Sequence, residues 1–230
     1  MTESAPTIRW VTPKQPRSQE TLERLAQATM QLLEEKSFEQ ISIEEIAKRA
    51  GSSVGGFYAR FPDKEALYEY LYVQYEGELA ATRSEMFDPT RWLDVPLQPR
   101  VEAIIVLCLN VIKQRAGFFR TMALRVHMNH TPQIDEQTAR RGEMIESIRN
   151  ILLECRNEIT HPDPVLATKM GFYQLLMAIQ ERYMFPHTAH TKILNVSDDV
   201  FMRELVRAFL AYVGASYTPS PEMQHVASRS

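Results

Sequence analysis

The sequence predicts an all-α protein built from a small N-terminal three-helix unit and a larger helical unit behind it. Three observations carry this. Apolar residues recur three and four apart along nearly the whole chain, and no stretch shows the alternation of a half-buried strand. Ser, Thr or Asp precedes most of these runs, and Gly or Pro follows them, which is the start and stop punctuation of helices. A proline-punctuated connection, MFDPTRWLDVPLQPR at residues 86–100, marks a change from short helical patterns to long ones.

The first 16 residues hold three prolines and no periodicity, so residues 1–17 are expected to form a flexible arm. Helical spacing begins with Leu22, Leu25, Ala26, Met30 and Leu33. A second pattern, Ile43, Ile46, Ala47 and Ala50, defines one helical face. Ser42 ahead of it and Glu45 three residues on form a capping-box signature. Gly51 stands where a left-handed residue ends that helix. Ser53 caps a third helix expected to run to about Arg60. Pro62 ends it, and Asp63 caps a fourth through Leu67, Leu71, Tyr75 and Leu79. Residues 18–64 therefore read as a helix-turn-helix domain, the second and third helices joined by a tight glycine-containing turn.

The larger unit, residues 65–215, holds a helix over Val101–Ile112 that is apolar nearly all round and therefore buried. Another follows over residues 117–129. Thr131-Pro132 starts a long helix to about Ile159, and Asp163-Pro164 starts one to about Phe185. Ser197 caps a last helix that Gly214 ends. The polar tail, residues 216–230, is expected to be disordered.

The chain has 230 residues, 44% hydrophobic and 24% charged, with a net charge of −3. Residues 1–64 carry nine basic and nine acidic side chains, so bulk charge does not draw this segment to a polyanion. Any nucleic-acid binding needs its basic groups arranged on one face. Cys108 and Cys155 make no CxxC pair, which suits a reducing compartment. No signal-peptide pattern opens the chain, and the longest apolar run, Ala103–Leu109, is far short of the roughly 18 residues a membrane helix needs. A soluble, cytoplasmic protein without a membrane partner is expected. His127 and His130, and His187 and His190, are pairs without the further ligands a zinc site takes, so no metal is expected. No nucleophile elbow, phosphate loop or dinucleotide fingerprint is present, so neither an enzyme nor a cofactor is expected.

The stretch AGSSVGGFYARF, residues 50–61, carries the sharpest signal. Two glycines inside a short helix cost it roughly 1 kcal/mol each relative to alanine. They make sense where another backbone comes close. Gly55 and Gly56 leave out side chains facing a DNA strand, while Phe57 and Phe61 anchor the inner face. Tyr58 then points outward, its hydroxyl within reach of a phosphate, and Arg60 and Lys64 add charge nearby. No Arg, Asn or Gln lies between Ser53 and Ala59. Specificity is expected to come largely from phosphate positioning, close backbone approach and DNA shape.

Ser42, Ile46-Ala47, Ala50-Gly51, Ser53, Gly55, Phe57-Tyr58, Phe61 and Lys64-Glu65-x-Leu67 resemble the DNA-binding signature of TetR-family transcriptional regulators, over about residues 18–75. The resemblance implies a ligand-responsive repressor that binds a palindromic double-stranded DNA operator as a homodimer. A ligand-independent architectural DNA-binding protein is the alternative. The resemblance also implies phosphate contacts from Ser42, Tyr58 and Lys64, and a place in the major groove for Val54, with Ser52 and Ser53 beside it. Ser52, Gly56 and Ser37 depart from the family pattern, which usually has valine, a hydroxyl residue and glycine there. In the C-terminal domain the resemblance implies a pocket for a small apolar or amphipathic ligand. Trp92, Phe118, Met122, Met170 and Tyr173 are its candidate walls, with Arg125 and His127 as polar contacts. It further implies a two-fold dimer interface from the last two long helices, for which Gly171, Leu175, Ala178, Phe201, Leu205 and Phe209 are the candidates.

Overall fold

The computed structural model describes residues 9–11, 16–128 and 132–219, and every regular element among them is helical. The chain separates into two compact units, Met1–Ser84 and Glu85–Ser230.

The first unit holds α1 (Pro16–Glu35), α2 (Ile43–Arg49), α3 (Val54–Tyr58) and all but the end of α4 (Lys64–Met86). A boundary drawn at residue 64 thus falls at the head of a long helix. Helix α1 begins two residues before the expected Ser18, because proline fits a first helical position whose N–H has no intrahelical partner. It buries Leu22, Leu25, Thr29, Leu32 and Leu33. Ala26 and Met30, expected on that face, lie at its half-buried edges. Thr29 is tolerated inside because its Oγ1 donates to the Leu25 carbonyl at 2.8 Å. Ser37 is extended, with φ −69° and ψ 153°, and opens a 3-10 turn over Phe38–Gln40. That conformation needs no glycine, which explains the serine there.

Helix α2 starts as its sequence predicts. The Ser42 hydroxyl accepts from the Glu45 N–H at 3.2 Å, and Glu45 accepts from the Ser42 N–H at 2.9 Å. Gly51 is left-handed, with φ +60°. Helix α3 stops at Tyr58, two residues earlier than expected. The Asp63 carboxylate caps α4 by accepting from the Ala66 N–H at 2.7 Å. Phe38, Ile41, Ile46, Phe57, Phe61 and Leu67 fill the core of this unit.

Part of the expected flexible arm is tied down. The Val11 N–H donates to the Arg60 carbonyl at 3.0 Å. Arg9 pairs with Asp63 at 2.6 Å and with Glu69 at 2.9 Å. Trp10 meets the Tyr70 ring edge-on at 5.5 Å. Arg17 belongs to the first turn of α1; residues 1–8 and 12–15, with Lys14, lie outside the described residues.

The second unit holds α5 (Leu97–Gln114), α6 (Ala116–Met128), α7 (Pro132–Leu153), α8 (Pro164–Met184), α9 (Ala189–Ile193) and α10 (Asp198–Val213). Helix α5 packs against α6, α7, α8 and α10, which accounts for its nearly continuous apolar surface. Asp163 and Ser197 cap α8 and α10 as predicted, and Gly214 ends α10 with φ +75°. Thr131, the predicted start signal of α7, lies outside the described residues.

Helix α7 ends at Leu153 rather than near Ile159. The reason is a set of polar contacts at the head of α5. The buried Arg100 guanidinium donates to the Ile151 carbonyl of the last turn of α7 at 2.8 Å, and to the carbonyls of Val95 and Trp92. Glu158 then accepts from the Leu97 N–H at 3.0 Å, so the chain must leave the helix to deliver that carboxylate. The short α9, capped by Thr188, was not expected. At the first residue of α10, Asp198 accepts from Arg182 and Lys113, and burial pushes the Tyr183 hydroxyl up to about 12. The start of the expected disordered tail is held as well: Thr218 exchanges two hydrogen bonds with the Gln98 side chain. Residues 220–230 lie outside the described residues. Among the described residues, no helix is long and apolar enough to cross a membrane.

Candidate nucleic-acid interface

The turn between α2 and α3 is closed from inside. The Ser52 N–H donates back to the Ala47 carbonyl at 2.8 Å, and the Ser53 hydroxyl accepts from the Gly56 N–H at 2.9 Å. These bonds fix α3 although it is only five residues long. Phe57 is fully buried and packs on Phe61 at 5.6 Å between ring centroids. With Phe57 inward, Ser53, Val54, Gly55, Tyr58 and Ala59 form the exposed face. Tyr58 is 53% exposed.

The two glycines differ. A Cβ on Gly55 would meet only the Ser53 Oγ, at 3.9 Å, so the space beside it is open. A Cβ on Gly56 would lie 2.5 Å from the Ser52 Oγ and 3.3 Å from the Ser53 Oγ. Two serine hydroxyls of its own turn thus occupy the space beside Gly56, while the space beside Gly55 is open.

The cations differ too. Arg60 turns inward, donating to the Gly56 carbonyl at 2.9 Å and to the Ser18 carbonyl and hydroxyl. It thereby ties the end of α3 to the first turn of α1. Lys64 donates to the carbonyls of Phe38 at 2.7 Å, Ile41 at 2.8 Å and Glu39 at 3.4 Å, and burial pulls its ammonium below the usual lysine range. Ser42 is half-buried at its cap. Two ion pairs that the sequence reading missed brace α1 on α2. Arg49 grips Glu35 through two bonds of 2.7 and 3.0 Å, and Lys36 pairs with Glu45. These pairs hold the carboxyls of Glu35 and Glu45 below the usual range. Their partners are nine and fourteen residues apart, beyond any spacing that reads as local.

In the second unit the expected ligand residues divide. Trp92, Phe118 and Met122 are buried, and the Trp92 indole N–H donates to the Met86 carbonyl at 2.7 Å. Arg125 is half-buried and His127 is exposed, its ring against the Ala123 carbonyl. Met170 and Tyr173 lie on the exposed face of α8. The expected dimer residues mostly face inward. Gly171 sits against Phe209, where a Cβ would come within 2.8 Å of the ring. Leu175, Phe201 and Phe209 are buried, and Ala178 and Leu205 are half-buried. His130 lies outside the described residues, and among those described no group of three His, Cys, Asp or Glu is placed to hold a metal.

Residues 25–71 match the model of bacterial regulatory proteins of the tetR family. No curated protein matches the chain. Among solved structures, a tetR-family transcriptional regulator from Streptomyces coelicolor is 19% identical, with a TM-score of 0.58 over 92% of this chain and 88% of that one. The TetR-family regulator PfmR from Thermus thermophilus is 16% identical, with a TM-score of 0.60 over 85% of this chain and all of that one. NalD of Pseudomonas aeruginosa, the secondary repressor of the MexAB-OprM multidrug efflux pump, is 17% identical, with a TM-score of 0.53 over 86% and 98%. At these identities the likeness shows the fold. The family match adds that residues 25–71, the segment from α1 into α4 that holds the turn described above, match the tetR-family model.

Proposed function

We propose that this chain, which carries a tetR-type DNA-binding domain over residues 25–71, is a ligand-responsive repressor that binds a palindromic operator as a homodimer. The observation that carries the reading is the exposed face of α3, with Tyr58 outward and open space beside Gly55. That face suits a DNA backbone at close range. Val54 touches a thymine methyl in the major groove, and Ser52 and Ser53 bond to neighbouring base edges. The Tyr58 and Ser42 hydroxyls donate to phosphates and set the register. Two copies of α3 in a two-fold dimer read half-sites roughly 34–36 Å apart.

A small apolar or amphipathic ligand held in the C-terminal unit would release the DNA by favouring a spacing of the two α3 helices that the operator does not match. This requires the ligand to bind one spacing more tightly than the other. The repressor named among the structural neighbours supports this direction of control. The lack of Arg, Asn and Gln on α3 favours a second reading, a ligand-independent architectural binder.

Selection from random double-stranded DNA by the purified protein at physiological salt separates the two. An enriched palindrome is the expected result. Weak, salt-sensitive binding without enrichment would favour the architectural protein.

A further inference from the structure

We infer that Lys64 is a positioning residue that pins the head of α4 to the turn between α1 and α2, and that it does not contact a DNA phosphate. The inference rests on the DNA-binding reading above and departs from the phosphate contact that the family resemblance implies for this lysine.

A lysine ammonium has three N–H donors and no more. In this chain three backbone carbonyls surround it, Phe38 at 2.7 Å, Ile41 at 2.8 Å and, more weakly, Glu39 at 3.4 Å. Its Nζ also sits 4.6 Å from the centroid of the Phe38 ring, a cation–π distance. These carbonyls belong to the 3-10 turn Phe38–Gln40 and to the residue after it. The Phe38 carbonyl also accepts from the Ile41 N–H at 3.3 Å, and Lys64 supplies the bond to its second lone pair. Phe38 and Ile41 are themselves buried, so water is a poor substitute at those oxygens.

A phosphate that drew Lys64 outward would strip the turn of its cap. The gain would be one phosphate contact and its released counterion. The loss would be two short charge-assisted bonds to part-buried carbonyls and a weaker third, which use all three donors and together outweigh a single contact. The lysine therefore stays with the turn. The position it holds matters for DNA binding, because Ile41 leads directly into Ser42, the cap of α2, and α4 carries Tyr70, whose ring lies 5.7 Å from that of the Phe61 on which Phe57 of α3 packs. Lys64 thus sets the phosphate-facing start of α2 against the helix behind α3.

The test uses the full chain and labelled random-sequence duplex DNA, with affinity measured across a salt series and thermal unfolding measured without DNA. Two variants are compared. Lys64→Met keeps the apolar stem but has no donor and no charge. Lys64→Gln keeps two neutral N–H donors and no charge. The expected result is a roughly tenfold weaker Kd for Lys64→Met, partial recovery in Lys64→Gln, and an unchanged slope of log affinity against log salt in both. A slope shallower by about 0.9 in both variants, with Gln no better than Met, would show a phosphate contact and overturn the inference. A lower melting temperature with unchanged affinity would reduce Lys64 to a stability role and also overturn it. If Lys64→Met does not fold, the slope of Lys64→Gln decides alone, since that variant has lost the charge and kept donors. If the unaltered protein shows no salt-sensitive binding to duplex DNA, the DNA-binding reading itself falls, and the inference with it, before any variant is compared.

Discussion

Gly55 and Gly56 are adjacent and chemically identical, yet the space around them assigns them opposite roles. Alanine at 55 meets only the Ser53 Oγ at 3.9 Å. It removes backbone freedom from the unfolded chain, so Gly55→Ala is expected to stabilise the fold by a few tenths to about 1 kcal/mol. Alanine at 56 drives a methyl to 2.5 Å from the Ser52 Oγ and crowds the Ser53 Oγ at 3.3 Å. Ser52 must rotate its hydroxyl away and Ser53, held by its cap bond to the Gly56 N–H, must give slightly, so Gly56→Ala is expected to gain less than Gly55→Ala. Urea midpoints of the two variants check the difference. Duplex-DNA affinity checks the function: Gly55→Ala is expected to fold more stably and bind more weakly. Binding unchanged in Gly55→Ala would mean no backbone approaches that face. The two glycines read alike in the sequence, because spacing alone does not show which Cβ direction points into the turn. The partners of Lys64 are not legible for a related reason, since those carbonyls lie 23 to 26 residues earlier in the chain.

Elements whose signals are local were legible. Ser42, Asp63, Asp163 and Ser197 each cap the helix they were expected to cap, and Gly51 and Gly214 each take the left-handed conformation that ends one. Elements set from a distance were not. Helix α7 shows no stop signal near Leu153; it ends there because Arg100, 51 residues before Ile151, takes that carbonyl, and because Glu158 is needed at Leu97. The five-residue α9 is too short to show a period. Arg100 is therefore the residue on which the join of α5 to α7 depends. Its side chain is 7% exposed, and besides the three carbonyls it pairs with Glu154 at 2.6 Å. Arg100→Met leaves those acceptors without a donor, and an expected loss of about 3–5 kcal/mol follows. Chemical denaturation monitored by circular dichroism measures it. A loss under 1 kcal/mol would mean that water replaces the guanidinium.

At the scale of the whole molecule, α8 has two apolar faces. One holds Gly171, Phe172, Leu175 and Ile179 against the core, with Phe209 of α10 pressed on Gly171. The other exposes Leu166, Met170, Tyr173 and Met177, a stripe at i, i+4, i+7 and i+11. The α8 dimer contacts expected from the sequence, Gly171 and Leu175, lie on the first face, because small and large apolar residues at helical spacing suit either kind of packing. The outward stripe is the better candidate, since contiguous exposed apolar surface marks an interaction site. Its neighbour α10 exposes Ala208 and Ala211, small residues that admit a close partner. A second copy related by a two-fold axis would lay the same stripe against this one, making a four-helix contact from two helices of each chain. Tyr173→Glu tests the arrangement. The residue is exposed, so the protomer is expected to keep its fold and melting behaviour. Near a two-fold axis, however, the substitution sets one carboxylate close to its symmetry mate and removes an aromatic from the contact. Sedimentation is expected to show a dimer of the 26.6 kDa chain for the unaltered protein and a monomer for the variant. Binding to a single half-site should change little, while the added affinity for a full palindrome disappears, because that gain comes only from linking two half-site contacts. A variant that stays dimeric would move the interface off this face of α8. An unaltered protein that is monomeric at micromolar concentration would leave the palindromic reading without its physical basis.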